Sequence, residues 1–397
     1  MTPQVFISAG EASGERYGAM LIDAVRARTP EVRFFGLGGA TMNSAGCECV
    51  VRAEDIAVMG ITEVVLHMPR IYGEYRRLVR SIRARKPDVA VLIDFPDVNF
   101  RLARELKKLD VPVIYFVSPQ LWAWKKRRIR WVRERVTKML VIFPFEENYY
   151  RERGVKAEFV GHPLADLVVL DGRQPGMARD DFARKYGLDT AKKWIGLLPG
   201  SRAKEVRLNL PAMIAAANEL GAGYEYILPA ATTLDPEWLR KAVADTATAG
   251  VAIHIVNDAR AALLHARASI VASGTATVEA ALIGNPFIAV YRLSNFSYAV
   301  ARRLVKVPHV AMANLIAGRR VVPELIQNEF TPGNIVRALR PLLEEGAPRK
   351  TMIEDLAGVR SALHVQASGT AIERVAGLVL QFLESPAKVS NVPELRA

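Results

Sequence analysis

Ala268-Ser269-Ile270-Val271-Ala272-Ser273-Gly274-Thr275-Ala276-Thr277-Val278-Glu279-Ala280-Ala281-Leu282 packs three signals into fifteen residues. The apolar run Ile270 to Ala272 reads as a buried parallel strand. Ser273, Gly274 and Thr275 let the backbone turn sharply. From Thr277 onward Val278, Ala281 and Leu282 fall at helical spacing. A strand, a small-residue turn and a helix start leave free N–H groups and the positive end of a helix dipole aimed at the turn, which makes an anion site. Glu279, read in the first helical turn, is placed to accept hydrogen bonds from sugar hydroxyls. Gly284-Asn285-Pro286 ends the helix, and Phe287-Ile288-Ala289-Val290-Tyr291 reads as the next strand. An ordinary βαβ corner explains the same residues, since glycine at such turns serves geometry alone.

The alternation recurs along the chain. Strand 5–9 leads into Gly10-Glu11-Ala12-Ser13-Gly14-Glu15 and then a helix. This loop does not match the dinucleotide-binding glycine pattern. Glu11 and Ser13 sit at the carboxyl end of a central strand, where open α/β sheets bind ligands. Helix capping by Ser13 accounts for the serine but not for the glutamate. After a strand at 32–37, the apolar run 89–93 ends in Asp94-Phe95-Pro96-Asp97-Val98-Asn99, two carboxylates and an amide at one strand end. A turn explains them; a catalytic carboxylate at Asp94 does too. Strands follow at 113–117 and 139–143. Beyond a linker at 171–176 the pattern restarts with strand 194–198, the turn Pro199-Gly200-Ser201-Arg202 and a helix. Ser201 and Arg202 are placed for a diphosphate, through the helix dipole and charge-assisted hydrogen bonds. Strands at 224–228, 251–256, 269–272 and 287–291 complete a second parallel sheet, and tail helices are expected at 331–345 and 347–383.

Composition bounds the partners. The chain has 397 residues, half of them apolar, and a net charge of +13, with a mean hydropathy of +0.10. The charge favours an anionic partner: nucleic acid, an acidic lipid surface or a phosphorylated substrate. No apolar run reaches the roughly eighteen residues of a membrane span. Met1-Thr2-Pro3-Gln4 leads straight into the first strand, without a signal peptide, so a cytoplasmic protein is expected. Cys47 and Cys49 are too few for a disulfide framework, and no metal site or cofactor is expected. Residues 61–82 repeat apolar side chains at three- and four-residue spacing, opposite Arg70, Arg76, Arg77, Arg80 and Arg83, with a kink or break expected at Pro69. A helix packed on the sheet with a solvated basic face is the plain reading. The sharper one is a membrane-surface patch through Val64, Val65 and Met68. Trp122, Trp124 and Trp131 lie among Lys125, Lys126, Arg127, Arg128, Arg130, Arg133 and Arg135. This mixture suits single-stranded nucleic acid or a phosphorylated lipid equally.

The motifs are more specific than the alternation. Ser8-Ala9-Gly10-Glu11-Ala12-Ser13-Gly14-Glu15, Ala57-Val58-Met59-Gly60, Ile93-Asp94-Phe95-Pro96-Asp97, Val117-Ser118-Pro119-Gln120-Leu121-Trp122-Ala123-Trp124, Leu198-Pro199-Gly200-Ser201-Arg202, Ala272-Ser273-Gly274-Thr275-Ala276 and Asn314-Leu315-Ile316-Ala317-Gly318-Arg319 together closely resemble the lipid-A-disaccharide synthase family, in order and over nearly the whole chain. Glu15 stands where that family usually has Asp, and Ala313 where Pro is frequent. The resemblance implies a GT-B fold: α/β, two Rossmann-like parallel-sheet domains facing a central cleft. These would be an acceptor, catalytic and membrane-contacting domain at 1–165 and a UDP-sugar-binding domain at 190–350. Helices at 351–397 would pack back on the first domain or be exchanged in a homodimer. The implied reaction is an inverting transfer of 2,3-diacylglucosamine from UDP-2,3-diacylglucosamine to 2,3-diacylglucosamine 1-phosphate, on the cytoplasmic face of the inner membrane. By resemblance Asp94 is the general base, Arg202 a diphosphate ligand, Asn314 a further active-site residue and Glu279 a ribose-binding acid; Asp97 is the internal rival of Asp94. Two phosphorylated, acylated substrates and an anionic membrane surface account for the charge without nucleic acid. Another GT-B enzyme acting on UDP-GlcNAc and a basic nucleic-acid-binding protein are the competing readings.

Overall fold

The computed structural model describes residues 2–56, 61–171, 177–231, 234–248, 250–294, 298, 302–303, 307–365 and 367–384, without the side chains of 61–68 and 168–171. Two compact units divide the chain, residues 1–163 with 365–397, and 164–364.

Seven strands build the first unit: β1 (Gln4–Ala9), β2 (Arg33–Gly38), β3 (Cys47–Arg52), β4 (Val89–Ile93), β5 (Val113–Phe116), β6 (Lys138–Val141) and β7 (Ala157–Phe159). Their order across the sheet is β3-β2-β1-β4-β5-β6-β7, and every pairing is parallel. A parallel sheet is covered on both faces, so its strands are apolar throughout rather than alternating. Val89, Ala90, Val91, Leu92 and Ile93 are all fully buried. Side chains still alternate in direction. Phe6, Ala90, Leu92, Val113, Tyr115, Met139 and Val141 join one core with Phe100, Leu102 and Leu106 of helix Pro96–Lys107. Helices Ala12–Arg26 and Ala371–Glu384 pack on one another and on β4.

The second unit holds β8 (Lys193–Leu198), β9 (Tyr224–Pro229), β10 (Ala252–Val256), β11 (Ala268–Ala272), β12 (Phe287–Tyr291) and β13 (Glu324–Ile326), in the order β10-β9-β8-β11-β12-β13. Fully buried Trp194 anchors it. Its indole Nε1 donates to the Asp189 carbonyl at 2.8 Å. The Arg179 guanidinium lies 3.5 Å from the ring centre.

Several expectations need adjustment. Strands β3, β7 and β13 were not expected, and each is short or broken by polar residues. Helix Ile61–Arg85 runs through Pro69. Its Leu78, Val79 and Ile82 are core residues, so over this half the plain reading holds, with Arg76, Arg77, Arg80 and Arg83 exposed. Val64, Val65 and Met68 lie outside the residues whose side chains are described, as does the motif 57–60. Of the expected linker at 171–176, Asp171 ends the helix Pro163–Asp171, and 172–176 lie outside the described residues. The single tail helix expected at 347–383 is two helices, Ala347–Ala362 and Ala371–Glu384. The first unit resumes at residue 365, and the latter helix packs on helix Ala12–Arg26. Its buried residues Ile372, Val375, Ala376, Val379 and Phe382 form one stripe, and Arg374 donates to the Val160 carbonyl at 2.8 and 3.0 Å. Phe382→Ala is therefore expected to cost about 3–5 kcal/mol, measured as a lower urea midpoint. An unchanged midpoint would show that this helix does not stabilise the first unit.

Candidate active site

Each sheet reverses its strand order once, between β1 and β4 and between β8 and β11. Helices on the two sides of such a point run off in opposite directions and leave a crevice at the strands' carboxyl ends, where ligands bind. The candidate residues gather at these two points.

In the first unit the loops after β1 and β4 carry Glu11 and Asp94. Glu11 is exposed and occupies the N-cap of helix Ala12–Arg26; Ser13 is that helix's second residue, not its cap. Burial pushes the Asp94 carboxyl up to about 7, and the like charge of Glu11 adds to this. Asp97 differs. It is exposed, ion-paired to Arg128 and 3.5 Å from Lys125. Burial raises its carboxyl, but the two cations outweigh that and hold it below the usual carboxylate range.

The loop after β5 is fastened to the helix Pro144–Arg151. Ser118 Oγ lies 2.7 Å from the Tyr150 hydroxyl, Tyr149 donates to the Leu121 carbonyl at 2.8 Å, and Trp122 Nε1 donates to Glu146 at 3.2 Å. Burial raises Glu146 to about 8. His162 is 2% exposed and burial lowers it to about 3, so it is a neutral packing residue. Trp131 packs edge-on against Phe100 at 5.6 Å, and Arg128 and Arg135 lie 5.3 and 5.0 Å from its ring centre. An indole so occupied offers no platform for a nucleobase, whereas Trp124 is exposed, with Lys125 Nζ 4.1 Å from its ring centre.

In the second unit both turns adjoin the β8/β11 point. Ser201 and Arg202 are exposed at the start of helix Ala203–Leu220. Their backbone N–H groups donate to Glu205 Oε2 at 3.3 and 3.4 Å, and the Arg202 guanidinium donates to Glu205 Oε1 at 3.4 Å. A carboxylate of the chain itself thus sits where an anion would. Helix Thr275–Ile283 begins at Gly274 with no side chain capping it. Gly274 has φ 151°, and a Cβ built there would meet no atom within 4 Å, so the space over this turn is open. Ser273 Oγ donates to the Val310 carbonyl at 3.1 Å. The helix starts at Thr275, earlier than expected, which moves Glu279 from the first turn to the second. There it lies 3.7 Å from Arg260.

The Asn314 side chain is engaged within the protein. It is fully buried. Its Nδ2 donates to the Val322 carbonyl at 3.0 Å and to Glu324 at 2.8 Å, while its Oδ1 accepts from Val321 and Val322 at 2.7 and 2.9 Å. Two donors and two acceptor positions are all an amide has. Its role is to hold the Val321–Val322 backbone and Glu324. Glu324 in turn accepts from the N–H groups of Val310 and Ala311 at 3.1 and 2.9 Å, beside Ser273.

Sequence reasoning missed Glu205, Glu324 and the pairing of Asp97 with Lys125 and Arg128. Glu205 carried a signal, a glutamate three residues into the helix that follows Arg202. The other two join residues far apart in sequence and carried none.

Comparison with known proteins agrees with this geometry. A family profile described as lipid-A-disaccharide synthetase matches residues 5–373. The lipid-A-disaccharide synthase of Acidobacterium capsulatum is 59% identical, covering 98% of this chain and 99% of its own length. That of Koribacter versatilis is 52% identical, over 96% and 99%. Among solved structures, the glycosyltransferase of kitacinnamycin superposes with a TM-score of 0.65 at 16% identity, covering 96% of this chain and 100% of its own. The UDP-GlcNAc 2-epimerase of Neisseria meningitidis does so at 0.64 and 12%, over 96% and 100%. At those identities the structures speak for the fold alone, two Rossmann-like domains of the GT-B kind, whereas the sequence match over nearly its whole length makes this chain a member of the lipid-A-disaccharide synthase family.

Proposed function

We propose that this glycosyltransferase moves 2,3-diacylglucosamine from UDP-2,3-diacylglucosamine to the 6-hydroxyl of 2,3-diacylglucosamine 1-phosphate, with Asp94 as general base. One observation carries the assignment of the base. Of the two carboxylates after β4, Asp94 is half-buried near Glu11 and pushed up to about 7, while Asp97 is tied to two cations and held low. A base works best when its pKa lies near the working pH. As the hydroxyl oxygen attacks the anomeric carbon, its proton passes to the Asp94 carboxylate. The bond from that carbon to the β-phosphate oxygen breaks, and UDP leaves with the electron pair. One displacement inverts the centre.

The leaving diphosphate gathers charge in the second unit. The N-termini of helices Ala203–Leu220 and Thr275–Ile283 and the Arg202 guanidinium are the groups that stabilise it, with no metal required. Entering there, it exchanges with the Glu205 carboxylate for the N–H groups of Ser201 and Arg202. Ser273, Gly274 and Thr275 line the open turn, and Glu279 binds ribose in this reading; Glu11, Ser13 and Asp97 bind the acceptor. Asn314 supports the Ser273 side of the site from behind.

Attachment to an anionic membrane surface, on the cytoplasmic face of the inner membrane, belongs to the same reading. No described helix is long and apolar enough to cross a membrane. Helix Ile61–Arg85 exposes Arg76, Arg77, Arg80 and Arg83, with Tyr72 58% exposed, a composition that suits anionic head groups. A homodimer that exchanges helix Ala371–Glu384 would reuse the seam with Ala12–Arg26 between copies.

The direct test incubates purified protein with both substrates and looks for the β-1,6 disaccharide by mass spectrometry; its absence sinks the reading. Asp94→Asn is expected to lower kcat by roughly 10²–10⁴-fold while UDP binding is retained. Asp97→Asn should cost less; the reverse order would reassign the base. For the wild type, kcat/KM should fall as the pH drops below about 7, because protonation of Asp94 removes the base. A profile flat down to pH 5 would contradict this. Arg202→Ala should cost about 2–4 kcal/mol of transition-state stabilisation, with poor rescue by lysine, which lacks the planar fork. Near-normal turnover would remove Arg202 from the site. Activity should survive excess EDTA, and loss restored by magnesium would overturn leaving-group stabilisation by helix ends.

A further inference from the structure

The Asp94 turn sits in an unfavourable backbone conformation. Asp94 and Phe95 are consecutive left-handed residues, with φ of 45° and 46°. Neither is glycine, and this region is sparsely populated for other residues. The Phe95 ring comes so close to Gly10 that a Cβ at position 10 would lie 2.4 Å from it. Something must hold such a turn, and three buried side chains do. Asn99 Nδ2 donates to the Asp94 carbonyl at 2.7 Å and to the Ile93 carbonyl at 3.1 Å. The Tyr115 hydroxyl donates to the same Asp94 carbonyl at 2.6 Å. Asn99 Oδ1 accepts the Ser8 hydroxyl proton at 2.6 Å. Ser8, Asn99 and Tyr115 are all fully buried. The knot spans three adjacent strands: Ser8 lies in β1, Asn99 holds the end of β4, and Tyr115 lies in β5.

We infer that Asn99 is a positioning residue for the reaction, assisted by Tyr115 and Ser8: it locks the Ile93–Phe95 backbone in the left-handed turn that aims the Asp94 carboxylate and keeps it beside Glu11. Asn99 is buried and works through Asp94, so the inference rests on Asp94 being the base. The loops and strands around Asp94 bring Glu11 from β1 and Tyr115 from β5. Its own helix brings Asp97, which Lys125 and Arg128 hold. If the turn relaxes, water reaches the carboxylate and its pKa moves back toward the ordinary value.

The experiment compares full-length wild type, Asp94→Asn, Asn99→Ala, Tyr115→Phe and the double variant Asn99→Ala/Phe95→Gly. Each is assayed with both lipid substrates across pH, alongside a thermal melt and UDP binding. Asn99→Ala is expected to lose on the order of 10²-fold in kcat, the scale of a small misplacement of a reacting group. Donor KM and UDP binding should stay within about twofold. Its acid limb should move below the wild-type position near 7. Tyr115→Phe removes one of three donors and keeps the ring, so it shows a smaller loss and a shift of the same sign, readable even if Asn99→Ala does not fold. Glycine adopts the left-handed turn without strain, so Phe95→Gly should restore part of the Asn99→Ala loss. Folded Asn99→Ala and Tyr115→Phe with wild-type kcat and an unmoved acid limb, while Asp94→Asn is dead, overturn the positioning role and leave the base assignment standing. Loss of kcat with an unmoved acid limb and no rescue by Phe95→Gly marks Asn99 as merely structural and overturns it too. Wild-type turnover by Asp94→Asn overturns the base assignment itself, and the positioning role with it.

Discussion

A parallel sheet sends every strand's exit loop over the same edge, and the helices that follow must cover both faces. Where the strand order reverses, the two outgoing helices part and leave that edge uncovered. This chain meets the constraint twice, at β1/β4 and at β8/β11. Glu11 and Asp94 depend on the first reversal; Ser201, Arg202, Ser273, Gly274 and Thr275 depend on the second. The arrangement is economical in polar groups. Each sheet interior is almost wholly apolar, so the few buried amides near these edges act as fasteners. Asn99 holds the end of β4, and Asn209 does the corresponding work for the second unit by donating to the Pro199 carbonyl at 2.8 Å.

Burial and neighbouring charge separate the carboxylates of the first unit by proton affinity. Removal from water raises an acid, and a neighbouring cation lowers it. Asp94 has the first influence with Glu11 beside it, and Asp97 has both, with the cations prevailing. Glu146 is raised still further, but its oxygens accept from Trp122 Nε1 and the Phe143 N–H, so it anchors a loop. Three acids of one unit thus differ in proton affinity because their surroundings differ.

The alternation of apolar runs with glycine-bearing turns announced both parallel sheets, because a strand buried on both faces has little choice of residue. Val89 to Ile93 and Ile270 to Ala272 are of this kind. Short edge strands such as Ala157–Phe159 lacked that pressure and were not legible. At the site, position along the chain was legible and contact was not. Asp94 and Arg202 announced themselves by standing at the ends of apolar strands. Asn314 stood in a recognisable motif, yet the motif does not tell that its amide is spent on backbone. Nor do local residues reveal that Lys125 and Arg128 pair with Asp97.

The helix Ala371–Glu384 closes the first unit from the far side of the second in sequence. During synthesis, the apolar side of helix Ala12–Arg26 that it covers is made about 345 residues before its cover, from residue 26 to residue 371. At translation speeds of roughly 5–20 residues per second that interval is about 17–70 s. The second unit, contiguous in sequence, is complete at residue 364, while the first still waits for the helix that closes its apolar seam. The order of events in the nascent chain therefore runs against the order of the sequence. Chaperones that shield apolar surface have their natural target in the N-terminal half.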